Sequence, residues 1–375
     1  MTRLARKMLI GAAALAVIVS ISASAAFAAD AKPNPIPDCF RPWEETTKMI
    51  SYPAKPGPYR LALVNGFAGN DWRIQMIQSL KAWAARPENA ANIKELKVVS
   101  TGADVAAQIA AIDNFIAAGF DAISFIAVNP TAFDAVIKRA AKQGTVLVPF
   151  DNILDTDKVF QVNQKQIEFE ETKGKYVWAQ LETAGKTKGI RVLEVRGLPG
   201  NSVDRDRSIG MHKVFEKDGV EIVTVVGNWD TGTVQKVVAD ALAAHGKFDA
   251  VMSQHGGQGV INAFKAAGHA MVPMGLDGEN GTRRMAVENK VPFISVEQHP
   301  AMSAVAMDGA IKLLQGHELP VLVALPSTGV VGSDMKAGEH YFPDLPASFN
   351  TGTGYPACFN PLTPDELFKQ SSDNT

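Results

Sequence analysis

Cysteine is nearly absent from this chain. Its 375 residues include two, Cys39 and Cys358, one near each end. No cysteine cluster and no His-x-x-x-His pair occurs, so the spacing of soft ligands offers no metal centre. An excess of one charge is missing too. Lys and Arg number 37 against 39 Asp and Glu, a formal net charge of -2, which gives no electrostatic case for a nucleic-acid partner. The glycine-rich loops lack G-x-x-x-x-G-K-[S/T] and G-x-G-x-x-G, so they carry no nucleotide-binding fingerprint. The G-x-S-x-G nucleophile elbow is also lacking. Past the amino terminus, no run is long and apolar enough for a membrane span.

The amino terminus itself is distinctive. Arg3, Arg6 and Lys7 precede an apolar run over residues 8–21, and Ala26-Phe27-Ala28 then offers an A-x-A cleavage site. This is the layout of a secretory leader, so residues 1–28 are expected to be removed after Ala28. The run is short and Ala-rich for a membrane span, and Cys39 lies too far downstream for a lipid anchor. The expected product is a soluble exported protein. In an oxidising compartment Cys39 and Cys358 are expected to bridge, with two unpaired thiols as the alternative. The bridge would close a loop of about 320 residues, on the order of 5 kcal/mol in the chain-entropy model. Residues 29–58 hold Pro33, Pro35, Pro37, Pro42, Pro53, Pro56 and Pro58. They predict a strap that resists helix and sheet and is pinned onto the body through Cys39, Phe40 and Trp43.

The remaining chain is organised around residues 59–73, YRLALVNGFAGNDWR. An apolar run suits a strand buried on both faces, Gly66 and Gly69 allow a tight turn, and Asn70 suits a helix N-cap. Alternation continues from there. Helices are predicted at 70–85, 104–118, from Pro130 to about 143, and at 166–182, 202–217, 231–244, 258–267, 281–288 and 300–314. Strands are predicted at 96–100, 122–128, 145–150, 190–195, 220–226, 248–253, 272–276 and 293–296. Repeated βα units predict parallel, doubly wound sheet, and their number predicts two lobes.

Nearly every predicted strand ends in a hydrogen-bonding or aromatic residue: Asn70 with Trp72, Asn129, Asp151, Trp229, His255, Asp277, Gln298. Strand ends open into the ligand crevice of such sheets. Carboxylates, amides and Arg207 suit hydroxyls that both donate and accept, while indoles offer faces to sugar C–H groups. Against this, Asp151 and Asp277 also suit ordinary turns after strands, Arg205 suits a solvated helix face or a salt bridge, and His255 suits a hydrogen-bonded loop. A paired-carboxylate glycosidase using Asp151 and Asp277 stays open on the same residues.

Several blocks carry a resemblance. They are Gly69-Asn70-Asp71-Trp72, Val128-Asn129-Pro130-Thr131 with Asp134-Ala135-Val136, Val148-Pro149-Phe150-Asp151, Gly200-Asn201-Ser202 through Arg205-Asp206-Arg207, Trp229-Asp230, Gly275-Leu276-Asp277-Gly278 and Glu297-Gln298. In this order and spacing they resemble the ribose/galactose-type periplasmic sugar-binding proteins, solute receptors of ABC importers related in fold to the sensor domain of LacI-type repressors. The resemblance spans about residues 59–325. It implies an α/β fold of two doubly wound Rossmann-like lobes, the type I periplasmic binding protein fold, joined by a three-strand hinge with crossings near Asn163, Gln298 and Ser327. Lobe 1 would comprise 59–163 plus 299–327, lobe 2 164–298 plus 328–345, and a tail 346–375.

The resemblance also implies a ligand set of Asn70, Trp72, Asn129 and Asp151 from lobe 1, and Arg207, Trp229, Asp277 and Gln298 from lobe 2. Arg73, Asn152 and His255 depart from the family pattern. They argue against ribose itself, and Arg73 with Arg207 leaves room for an acidic sugar. The implied protein is a periplasmic monomer that binds a monosaccharide or sugar alcohol without cofactor or chemistry and delivers it to a membrane ABC permease. A receptor for a chemoreceptor or sensor kinase is the alternative, and an exported glycoside hydrolase a third. A DNA-binding repressor is disfavoured, because the leader occupies the place of a helix-turn-helix.

Overall fold

The computed structural model describes residues 38–67 and 69–375. The expected leader, its cleavage site and the first part of the strap lie outside them. The strap does form sheet, against the expectation from its prolines. β1 (Met49–Ile50) pairs antiparallel with residues 319–320, and Pro42 bridges Val323. Proline removes one donor at its own position only, so Trp43 still donates its N–H to the Leu322 carbonyl at 2.9 Å.

The first lobe begins with β2 (Tyr59–Asn65), the predicted apolar strand. α1 (Asp71–Ala85) starts where the Asn70 side chain accepts the Arg73 N–H at 2.9 Å. It stops before Pro87, whose ring pushes Arg86 into an extended conformation, and a single turn, α2 (Pro87–Ala90), follows. β3 (Ile93–Ser100), α3 (Val105–Ala117), β4 (Ala122–Phe125), α4 (Asp134–Gln143), β5 (Val146–Pro149) and β6 (Gln161–Gln164) complete the series. Two expectations fail between β4 and α4. The strand ends at Phe125, and the helix starts at Asp134 rather than Pro130. Asn129 holds the intervening loop, because its side chain accepts the Thr131 N–H at 2.9 Å and competes with helical pairing.

The second series is α5 (Gln166–Thr183), β7 (Ile190–Arg196), α6 (Ser202–Phe215), β8 (Val220–Val226), α7 (Thr231–His245), β9 (Ala250–Ser253), α8 (Gly257–Ala266), β10 (Met274–Leu276), α9 (Asn280–Glu288) and β11 (Phe293–Val296). The chain returns through α10 (Met302–Leu314), β12 (Leu319–Pro320) and β13 (Leu322–Leu325), crosses again to β14 (Gly329–Val331), and carries α11 (Pro364–Phe368) near its end.

Two sheets result. The first is parallel with order β3-β2-β4-β5, and the second has order β14-β11-β10-β9-β7-β8 with only β14 antiparallel. Both orders reverse direction once, so each sheet has a switch point at its strands' carboxyl ends. Helices cover both faces of each sheet, as parallel strands require, and separate apolar clusters fill the four interfaces. Three chain passages link the sheets: after β6, after β11 and after β13. One side chain ties them together. Gln164 donates to the carbonyls of Glu297 at 3.1 Å and Pro326 at 3.0 Å and to the Ser327 hydroxyl at 3.1 Å.

The Cys39–Cys358 disulfide is present and spans 319 positions. It joins the strap to the carboxy-terminal segment, which packs with it into the core of the first lobe through Phe40, Tyr355, Leu362 and Leu367.

Candidate functional site

The strand ends of the two sheets face one another across a cleft. Its walls include Asn70, Trp72, Arg73 and Asp151 from the first lobe, and Phe169, Arg207, Trp229, Gln254, His255, Asp277 and Gln298 from the second side. Local backbone places several of them. Asp151 follows β5 with φ 62°, and Asn228 and Trp229 follow β8 with φ 53° and 54°. Left-handed geometry is costly for side chains with a Cβ and recurs where structure holds a functional group in place. Trp229 lies directly over Gly197, where a Cβ would fall 1.9 Å from the indole.

A polar chain crosses the cleft. Arg207 donates to Gln166 Oε1 at 2.8 Å, the Gln254 carbonyl at 2.9 Å and Gln298 Oε1 at 2.9 Å, and its guanidinium lies 4.3 Å over the Phe169 ring. Gln298 in turn donates its Nε2 hydrogen to Asp151. Asp151 sits 3.9 Å from Arg73, which donates to Asn65 Oδ1 at 2.8 Å. Burial raises the Asp151 carboxyl above its ordinary range, against the pull of Arg73, the Gln298 hydrogen bond and Arg207. Burial likewise lowers the Arg73 and Arg207 guanidiniums, opposed by Asp151 in the first case and by Glu170 and then Asp151 in the second. Each buried charge therefore has a partner of opposite sign, without which it would be costly.

Both indoles spend their N–H on protein. Trp72 donates to the Gln298 carbonyl at 2.7 Å and Trp229 to Gln254 Oε1 at 3.2 Å. With their N–H groups taken, both line the cavity with aromatic carbon.

His255, Asp277 and Glu279 converge within 4.8 Å in ligand-atom distance. Their atoms are committed to one another and to backbone. Asp277 accepts the N–H groups of Gly257 at 2.8 Å and Glu279 at 3.0 Å. Glu279 lies 3.2 Å from His255 Nε2 and accepts from Gln258 at 3.2 Å. Burial pushes the Glu279 carboxyl up to about 7, against the pull of His255. The arrangement is a satisfied network along one wall.

Two predicted site residues do not line the cavity. Asn129 is occupied by its own turn, accepting from the Thr131 N–H and hydroxyl at 2.9 and 3.1 Å. Asn152 is buried behind Asp151, donating to it at 2.8 Å and accepting the Val203 N–H at 3.3 Å across the lobes. Asp151's left-handed turn directs the next side chain into this seam. Sequence reasoning missed Phe169, Gln254 and Asn350, all of which line the cavity. Gln254 directly precedes His255 at the end of β9 and carried a usable signal. Phe169 looks like any apolar helix residue, and Asn350 follows no strand.

Residues 61–318 match the family described as periplasmic binding protein domain. The chain is 26% identical over 291 residues to a D-ribose/D-allose-binding protein of Pseudomonas aeruginosa, covering 73% of this chain and 88% of that one. It is 27% identical over 246 residues to a putative rhizopine-binding protein of Rhizobium meliloti, covering 62% and 78%. An ABC transporter solute-binding protein from Thermobispora bispora superposes with a TM-score of 0.66 at 29% identity, over 72% of this chain and 84% of that one.

Proposed function

The chain belongs to the periplasmic binding protein family, and from that premise we propose that it is the exported receptor of an ABC importer for a neutral monosaccharide or sugar alcohol. The observation that carries this reading is the pair of indoles, Trp72 and Trp229, that line the cavity with their N–H groups already spent on protein. Ring faces stack on sugar C–H groups. Around them stand Asn70, Arg73, Asp151, Arg207, His255, Asp277 and Gln298, enough donors and acceptors to pair most hydroxyls of a small sugar. Both guanidiniums already have buried carboxylates beside them, Asp151 for Arg73 and Glu170 with Asp151 for Arg207, which offset the charge that an acidic sugar would need. The ribose/allose-binding relative supports a monosaccharide of this size.

In this reading lobe 1 is 59–163 plus 299–327 and lobe 2 is 164–298 plus 328–345. The chain is exported to the periplasm after cleavage at Ala28 and acts as a monomer. Ligand favours the closed form, and the permease reads that form. A chemoreceptor or sensor kinase would read the same form from another surface. No chemistry is assigned in this reading, since the relatives it rests on are named as binding proteins.

The test is a thermal-shift screen of refolded, ligand-stripped protein against pentoses, hexoses, sugar alcohols, aldonates and uronates. A ligand at about 100 times its Kd adds roughly 2.7 kcal/mol of stability, so a true ligand gives a clear shift. A shift with one neutral sugar or polyol supports the reading. A shift with acids alone overturns the neutral assignment, and product release from a glycoside overturns the transport assignment.

A further inference from the structure

The carboxy-terminal segment lies outside the matched residues 61–318, yet it touches both lobes and reaches the cleft. It begins on the second lobe. Asn280 donates its side-chain amide to the carbonyls of Phe342, Leu345 and Pro346 at 2.9, 3.1 and 3.0 Å, and accepts the Phe342 N–H at 2.7 Å. The Asn280 and Gly281 N–H groups reach the carbonyls of Phe349 and Ala347, each at 2.8 Å. The segment ends on the first lobe, where Cys358 is bonded to Cys39, Glu366 takes two bonds from Arg86 at 2.9 and 3.0 Å, and Thr375 donates to the Val98 carbonyl at 2.9 Å.

Asn350 stands at the crossing. Its backbone is clamped by Gln75 of α1, whose side chain accepts the Asn350 N–H at 2.8 Å and donates to its carbonyl at 2.7 Å. On its other edge it forms an antiparallel bridge with Glu279. The next residues grip the hinge passage after β11. Thr351 donates to Glu297 at 2.7 Å, Gly352 donates its N–H to the same carboxylate, and Tyr355 stacks on His299 with ring centroids 4.9 Å apart. Asn350 lines the cavity although the residue is only 3% exposed. Its Nδ2 makes one long bond, 3.4 Å, to the Ser348 carbonyl, and its Oδ1 has no protein partner among the described residues.

We propose that residues 342–375 form a third wall of the cleft, a disulfide-anchored brace that holds the two lobes together in the closed form and supplies Asn350 as a ligand contact. An amide fixed through its own backbone loses little freedom when it accepts a ligand hydroxyl, which is how preorganised groups add affinity. Hinge opening must separate Gln75 from Asn350 or Asn350 from Glu279, so the brace opposes opening alongside the direct cross-cleft bonds of Gln298 to Asp151 and of Val203 to Asn152. The ligand's identity rests on the carbohydrate reading above; the brace does not.

The two parts are tested separately. Hydrogen exchange on the ligand-free protein reads the brace alone. The amides of 347–352 are expected to be protected, and Gln75→Ala is expected to speed their exchange at least tenfold while the exchange of β2 stays unchanged. Exchange at the rate of an unstructured peptide in the wild type, or no response to Gln75→Ala, overturns the brace. Calorimetric titration then uses the sugar or polyol that shifts the wild-type protein in the screen. Asn350→Ala is expected to weaken binding about tenfold, and the deoxy analogue lacking the contacted hydroxyl is expected to bind wild type and variant alike. Asn350→Asp, nearly isosteric, guards against a folding defect. Wild-type affinity in both variants overturns the ligand contact. If the wild type binds no carbohydrate, the carbohydrate reading fails while the exchange result stands.

Discussion

Asp151 carries two loads that one substitution separates. It is buried between Arg73 and the Gln298–Arg207 chain, and its backbone adopts φ 62°. Asn tolerates that conformation nearly as well as Asp, so Asp151→Asn removes charge without forcing a new turn. We expect it to weaken ligand binding by about 2 kcal/mol, since bonds to a charged acceptor are lost, and to lower the unliganded melting temperature as well, because Arg73 loses its buried partner; calorimetry and thermal melts check this pair of outcomes. Glu279 gives a pH signature. Its carboxyl is pushed from 4.5 up to about 7 by burial, so the folded protein holds a proton there that the unfolded chain has released. Its contribution is fully present below about 4.5 and is lost as pH rises through about 7. Melting temperatures across that window should fall for the wild type and fall less for Glu279→Gln. Equal slopes would remove Glu279 as the cause.

At the scale of elements, the cleft depends on turns that bring side chains back over the strand ends. The indole of Trp229 occupies the space over Gly197, just past β7. Gly197→Ala would therefore move the ring without touching the strand that precedes it. We expect binding to weaken by at least tenfold and the near-ultraviolet circular dichroism of the indole to change, while far-ultraviolet dichroism stays as in the wild type. Asn70 caps its helix as the sequence led us to expect, and Asp104, Asn201 and Asp230 likewise each accept an N–H at the start of theirs. Pro130 misled, because Asn129 stabilises a loop by its own side chain. The four-residue strand β6, polar in sequence as QVNQ, was not recognised as a strand. Its side chains are buried by the passages it supports, and no hydrophobic pattern marks it.

At the scale of the whole molecule, two terminal segments lock the first lobe. The strap pairs with β12 and bridges to β13, and the disulfide joins it to the brace. Because the closed loop spans 319 positions, reduction should lower stability by up to about 5 kcal/mol in the chain-entropy model. Denaturant unfolding with and without reductant measures it. An unchanged midpoint would mean that packing of Phe40, Tyr355 and Leu367 alone holds the segments.

The sequence by itself determined the alternation of strand and helix, the two-lobed parallel architecture and most of the residues at strand ends. These follow from period, caps and apolar runs, which act over a few neighbouring residues. It also held the two cysteines whose pairing the fold completes. Only the tertiary structure decided that Asn152 serves the scaffold, that Gln254 and Phe169 orient Trp229 and Arg207, and that Asn350 reaches the cleft from a distant tail. Each of those depends on which groups share one small volume after folding, and contacts across more than 200 positions, such as Gln75 with Asn350, leave no local pattern to read.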